Sequence, residues 1–159
     1  MSDEKQAQYL VRDFLLFAAM DLNRAYLYFF NDSDEPSFHA SSGITRNFKP
    51  KPSFHAVGHL YRSLAAYRFS RILLKQEGEV YAFEFIHASE PKKKILVAWS
   101  PTGSGRTAEF DLPIGTARFV RLEKMPLVAG EASRIPHTPK SGAVRFMLDE
   151  SPAYVSIEE

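Results

Sequence analysis

No cysteine occurs in the 159-residue chain, which removes disulfides, zinc–thiolate sites and thiol nucleophiles and leaves the redox compartment open. There is little net charge either: 20 basic and 19 acidic residues are interspersed to a balance of +1. No long-range field is available to steer the chain toward nucleic acid or an anionic membrane, and neutral partners are favoured. Long hydrophobic runs are absent. The apolar stretch Phe14–Met20 stops at Asp21, far short of the roughly 18 apolar residues a membrane span needs. Met1-Ser2-Asp3-Glu4 has neither the basic nor the apolar region of a secretory signal, so the piece reads as soluble with its localisation unknown. A chain of this length also falls short of the ~250 residues of a TIM barrel. What remains is a globular composition, 45% hydrophobic and 13% aromatic, enough to bury a core.

Asp3 and Gln6 have capping-box spacing, and apolar residues recur at Ala7, Leu10, Val11, Phe14, Leu15, Ala18 and Leu22, which predicts an amphipathic helix. Ala25 through Phe30 is a continuous apolar and aromatic run bounded by Asn31-Asp32-Ser33-Asp34, the pattern of a parallel strand buried on both faces. The connection from Asn31 to Lys51, about twenty residues, is longer than usual and suits a functional rim. Pro52 stands at the first turn of a second predicted helix, with Phe54, Val57, Leu60, Tyr61, Leu64 and Ala65 as its apolar face and an end near Tyr67.

Beyond it the texture changes to seven short strand-like runs: 69–74, 80–87, 94–99, 108–112, 117–122, 143–148 and 153–157. Gly and Pro separate them, which predicts an antiparallel sandwich. Tyr81, Phe83 and Phe85 alternate along one run and share a face. The expected fold class is α+β: a helix-strand-helix unit over residues 1–68, then a β-sandwich of about seven strands over 69–159.

Three groups of residues carry a further resemblance. Glu4-Lys5-Gln6-Ala7-Gln8-Tyr9-Leu10 is similar to the helix after the seventh strand of TIM-barrel glycoside hydrolases of the retaining, clan A type. Tyr28-Phe29-Phe30-Asn31-Asp32 resembles their eighth strand, which commonly reads Tyr, any residue, Trp, any residue, Asp; Phe30 stands in the tryptophan's place. Gly43-Ile44 and Lys51-Pro52-Ser53 resemble the approach to their last barrel helix. The resemblance implies the C-terminal portion of such an enzyme, with the sandwich appended behind the barrel. It implies substrate-binding roles for Tyr28, Phe30, Asn31 and Asp32, at a strand end that faces the active site. It also implies that the two catalytic glutamates, held about 5 Å apart on strands four and seven, lie outside this chain, so that no catalytic residue is assigned here and the chain is inactive alone. No cofactor or metal is expected, carbohydrate is the expected partner once the barrel site is complete, and the apolar helix and strand are expected to support self-association.

Each candidate has an ordinary alternative. Tyr28, Phe29 and Phe30 read equally as strand core. Asp32, Asp34 and Glu35 lack the glycine and distal Glu of a calcium loop. His55 and His59 have helical zinc spacing, but Ala56 follows His55 where a metalloprotease has Glu. Gly103-Ser104-Gly105-Arg106 reads as a hairpin turn before a phosphate nest, and Lys92-Lys93-Lys94 as a solvated strand start that discourages edge pairing. Trp99 reads as core; exposed, it would favour the alternative function of a free-standing carbohydrate-binding or protein-interaction sandwich module.

Overall fold

The computed structural model describes residues 1–20, 22–33, 42–100, 105, 107–115, 119–136 and 142–158. Its chain forms two compact units, one of Met1–Arg62 with Pro126–Glu131 and one of Ser63–Met125 with Ala132–Glu159. The architecture is α+β, a helix-strand-helix start and an antiparallel β-sandwich.

In the first unit, helix α1 spans Asp3–Ala18. Its N-cap is Ser2, not Asp3: the Ser2 hydroxyl accepts from the Lys5 amide at 3.2 Å, and Asp3 and Glu4 sit in the first turn, where carboxylates suit the positive helix end. The Gln6 side-chain amide donates to the Gly43 carbonyl at 2.9 Å. Ala7, Val11 and Leu15 form the buried stripe, and the helix closes with short turns from Ala19 to Leu16 and from Met20 to Phe17. Leu22, expected on the helical face, lies beyond the end and is exposed.

The run Ala25–Phe30 departs from expectation. Strand β1 is only Asn31–Asp32; it pairs in parallel with β2 (Thr45–Arg46), which turns back antiparallel into β3 (Lys49–Pro50). Residues before β1 have no strand partner among the described residues, so they form no part of a sheet whose two faces could be covered. Alternation survives: Tyr26, Tyr28 and Phe30 are exposed while Ala25, Leu27 and Phe29 are half-buried.

Helix α2 spans Pro52–Leu64 and begins at the proline as expected. Its buried stripe is rotated to Ser53, Ala56, Val57 and Leu60, leaving Phe54 and Tyr61 exposed. Small Ser53 lets α1 and α2 approach closely, its hydroxyl 3.4 Å from the Gln6 side-chain oxygen.

The second unit holds β4 (Tyr67–Gln76), β5 (Val80–His87), β6 (Lys93–Trp99), β7 (Ala108–Pro113), β8 (Phe119–Lys124), β9 (Arg134–Pro136), β10 (Ala143–Leu148) and β11 (Ala153–Glu158). Six of them form an antiparallel sheet in the order β4-β5-β6-β11-β8-β9, and β10 pairs with β7 as a second sheet. Tyr67 thus opens β4 rather than ending α2. The short β9 had no signal in the sequence: it is three residues long and contains Pro136, tolerated because β9 is the sheet edge.

Between the sheets lies a mainly aliphatic core, in which Val80, Leu96, Leu122 and Val155 from the large sheet meet Leu112, Val144, Phe146 and Leu148 from the small one. Register explains the set, since Val155 is opposite both Leu96 and Leu122, one on each neighbouring strand. The other face of β5 is aromatic, as its alternation predicts. Cross-strand partners Tyr81 and Trp99 stack at 5.3 Å, Phe83 meets Trp99 edge-on at 5.1 Å, and Phe69 touches Phe83 and Phe85 at 5.9 and 5.8 Å. Trp99 is buried, as is Tyr154, whose phenol pKa is pushed up by burial.

Removing the indole leaves a large cavity, so Trp99→Ala should cost about 3–5 kcal/mol in urea unfolding followed by circular dichroism. Trp99 is the only tryptophan, and its emission should sit at short wavelength and red-shift when the sandwich unfolds.

Candidate functional site

The end of β1 is organised by two polar side chains pointing into the first unit. Asp32 is buried; its Oδ1 accepts from the Gly43 amide at 2.6 Å and its Oδ2 from Lys51 Nζ at 2.8 Å. Lys51, equally buried just ahead of α2, also donates to the Gly43 carbonyl at 2.8 Å, and Gln6 of α1 donates to the same carbonyl at 2.9 Å. Three side chains from separate parts of the chain therefore converge on Gly43. Gly43 is required there by space: a Cβ would lie 2.8 Å from the Phe30 carbonyl oxygen and 2.9 Å from Asp32 Oδ1.

Asn31 does the same for the hairpin, its Oδ1 accepting from Thr45 Oγ1 at 2.9 Å and from the Phe48 amide at 2.7 Å. The Thr45 and Ile44 amides bond to the Phe30 carbonyl and the Asn47 amide to that of Asp32, each at 3.0 Å. Arg46 anchors β2 to α1 through a two-pronged pair with Asp3 at 2.9 and 3.0 Å. That guanidinium holds the Asp3 carboxyl below the usual range, with a smaller contribution from Lys51.

Of the four predicted binding residues, the structure brings Asn31 and Asp32 together behind the strand end and leaves Tyr28 and Phe30 in front. Tyr28 is 90% exposed and Phe30 57%, and Tyr28 is braced edge-on by Phe29 at 4.7 Å. Sequence reasoning missed Gly43, Lys51, Gln6 and Arg46 as members of the site. The available signal was a lysine directly before a helix-starting proline, where a charge is hard to place unless it has a partner.

The remaining candidates stand apart. Asp34, Glu35 and most of Gly103–Arg106 lie outside the described residues; Gly105 itself donates its amide to Glu150 Oε1 at 2.9 Å. His55 is half-buried beside Phe54 and His59 is buried, and among the described residues no group of three metal-binding side chains occurs. Lys93 pairs with Glu90 at 2.6 Å, but β6 is paired on both sides, so the lysines guard no edge. No helix among the described residues is long and apolar enough to cross a membrane.

No family model and no curated protein matches the chain. Solved structures do. A family 39 glycoside hydrolase from the gut symbiont Bacteroides cellulosilyticus WH2 matches with a TM-score of 0.73 and 26% identity over 99% of this chain and 31% of that one. The catalytic domain of a family 30 xylanase C from Talaromyces cellulolyticus matches at 0.58 and 16% identity over 81% and 29% of the two chains. A family 30 endoxylanase from Clostridium papyrosolvens C71 matches at 0.53 and 13% identity over 75% and 31%. These solved structures with a similar fold are glycoside hydrolases of families 39 and 30. The chain is similar to the C-terminal part of these clan A enzymes, and it spans about a third of the length of the enzymes it matches.

Removing one partner of a buried ion pair strands the other, so Lys51→Met should destabilise the first unit by about 3–5 kcal/mol, and Lys51→Met with Asp32→Leu by clearly less, in a urea double-mutant cycle. Asp3 has its folded pKa depressed, so its contribution is present above the unfolded value and is lost as pH falls through the folded one. Melting temperature should therefore drop as pH falls below about 4, with a shallower drop in Asp3→Asn.

Proposed function

We propose that this chain supplies one wall of the saccharide site of a carbohydrate-degrading glycoside hydrolase, with the carboxylates that break the glycosidic bond contributed from outside the chain. The observation that carries the reading is the division at the strand end. Tyr28 and Phe30 present exposed rings from a backbone that Asn31 and Asp32 tie down from behind. An aromatic face packs on the C–H side of a pyranose and gains apolar burial, and a pre-positioned ring loses little entropy on binding. In this reading Asn31 and Asp32 serve the sugar indirectly, since the Asp32 carboxylate is already occupied by Gly43 and Lys51.

The other buried carboxylates also have structural work. Glu84 is held by Ser70 and Arg71, Glu123 by Arg121 and Arg134, and Glu150 by the Gly105 amide. A free-standing module is disfavoured because its platform would need Trp99, which is 2% exposed and stacked on Tyr81. Tyr9, Phe17, Met20 and Tyr26 give the first unit an exposed apolar surface, which in a complete enzyme would be covered by further barrel elements.

Two measurements test this. Because the family 30 neighbours are xylanases, xylotetraose is the first probe in an NMR titration of the chain, with cellotetraose beside it. Saturable shifts at residues 26–32 are expected, with Tyr28→Ala and Phe30→Ala each weakening binding about tenfold, about 1.4 kcal/mol. No nitrophenol should be released from an aryl β-xyloside. Light scattering should show self-association rising with concentration; absence of any glycan binding, or turnover by the chain alone, would overturn the reading.

A further inference from the structure

The β2–β3 hairpin has a two-residue tip, Asn47–Phe48, because Arg46 pairs with Lys49 across it. Both tip residues have positive φ, 49° at Asn47 and 61° at Phe48. Two consecutive left-handed residues are the pattern of a type I′ turn, whose favoured sequence is Asn-Gly. Asn47 suits its position. Phe48 does not, since a bulky L residue in the left-handed region crowds its own backbone, and glycine would avoid that crowding entirely.

Burial of the ring does not offset the strain, for Phe48 is 82% exposed. The turn is nonetheless held firmly, by the Phe48 amide on Asn31 Oδ1 at 2.7 Å and the Asn47 amide on the Asp32 carbonyl at 3.0 Å. These bonds fix the tip to the two residues that directly follow Phe30. The same asparagine that ties down the strand end also positions the hairpin's ring. Strain kept at an exposed aromatic, on a backbone fixed by its neighbours, marks a contact made with something outside the fold.

We propose that Phe48 is a further saccharide-contacting residue, an apolar face in addition to Tyr28 and Phe30 for a neutral oligosaccharide. The inference rests on the glycan reading above and deepens it. The ligand class follows from the chemistry present: an aromatic ring offers a surface for the C–H face of a pyranose and no charge for an anion.

The strain makes the role separable from a structural one. The full chain is compared with Phe48→Gly, Phe48→Asn and Phe48→Tyr by thermal unfolding and by NMR titration with xylotetraose. Phe48→Gly restores Asn-Gly to the turn, so its melting temperature should equal or exceed that of the parent chain while its xylotetraose affinity falls about fivefold. Phe48→Asn should behave likewise, and Phe48→Tyr should keep the parent affinity. Unchanged affinity in Phe48→Gly, or a lowered melting temperature in both Phe48→Gly and Phe48→Asn, overturns the proposal. Binding that is lost in Phe30→Ala but intact in Phe48→Gly sinks this inference alone; no binding by the parent chain sinks the glycan reading with it.

Discussion

The first unit depends on the buried contact between Asp32 and Lys51 across the Gly43 peptide. A carboxylate and an ammonium removed from water gain little net stability over apolar side chains of the same size, but they tolerate one arrangement only, in which each remaining lone pair and proton is also met. Gly43 supplies its amide to one partner and its carbonyl to the other, and Gln6 reaches the same carbonyl from α1. Helix, strand end and the approach to the second helix are thereby fixed to a single point. The absence of a side chain at Gly43 is as much a part of this as the charges, because any Cβ would collide with the Phe30 carbonyl and the Asp32 carboxylate.

This polar clamp frees the rings in front of it. Tyr28, Phe30 and Phe48 hold exposed positions that hydrophobic burial alone would not select, and the Phe30 carbonyl and the Phe48 amide are each hydrogen-bonded. The saccharide role proposed above would draw on these rings, since affinity for a pyranose comes from modest apolar contacts and is easily lost to disorder. The second unit has the opposite economy. Its aromatics, Trp99 and Phe83 above all, are spent on packing one face of the large sheet, while mainly aliphatic residues fill the space between the sheets.

The structural neighbours are glycoside hydrolases of which the chain matches less than a third. Trp99 is buried in the second unit, whereas Tyr28, Phe30 and Phe48 of the first are exposed.

Much of the architecture was readable from periodicity. Strands β5 and β10 fall at their expected limits, α2 starts at Pro52, and the rings of β5 share a face, because local alternation and a proline's fixed φ act over a few residues whatever the surroundings. Tyr28, Phe30, Asn31 and Asp32 were also marked by sequence as one cluster. Only the tertiary structure decided which of them turn inward, since that depends on Gly43 and Lys51, eleven and nineteen residues from Asp32. It likewise decided that Ala25–Phe30 is not a doubly buried strand and that the stripe of α2 runs through Ser53 and Ala56 instead of its rings. Burial is set by which neighbours arrive, and composition along one segment carries no record of them.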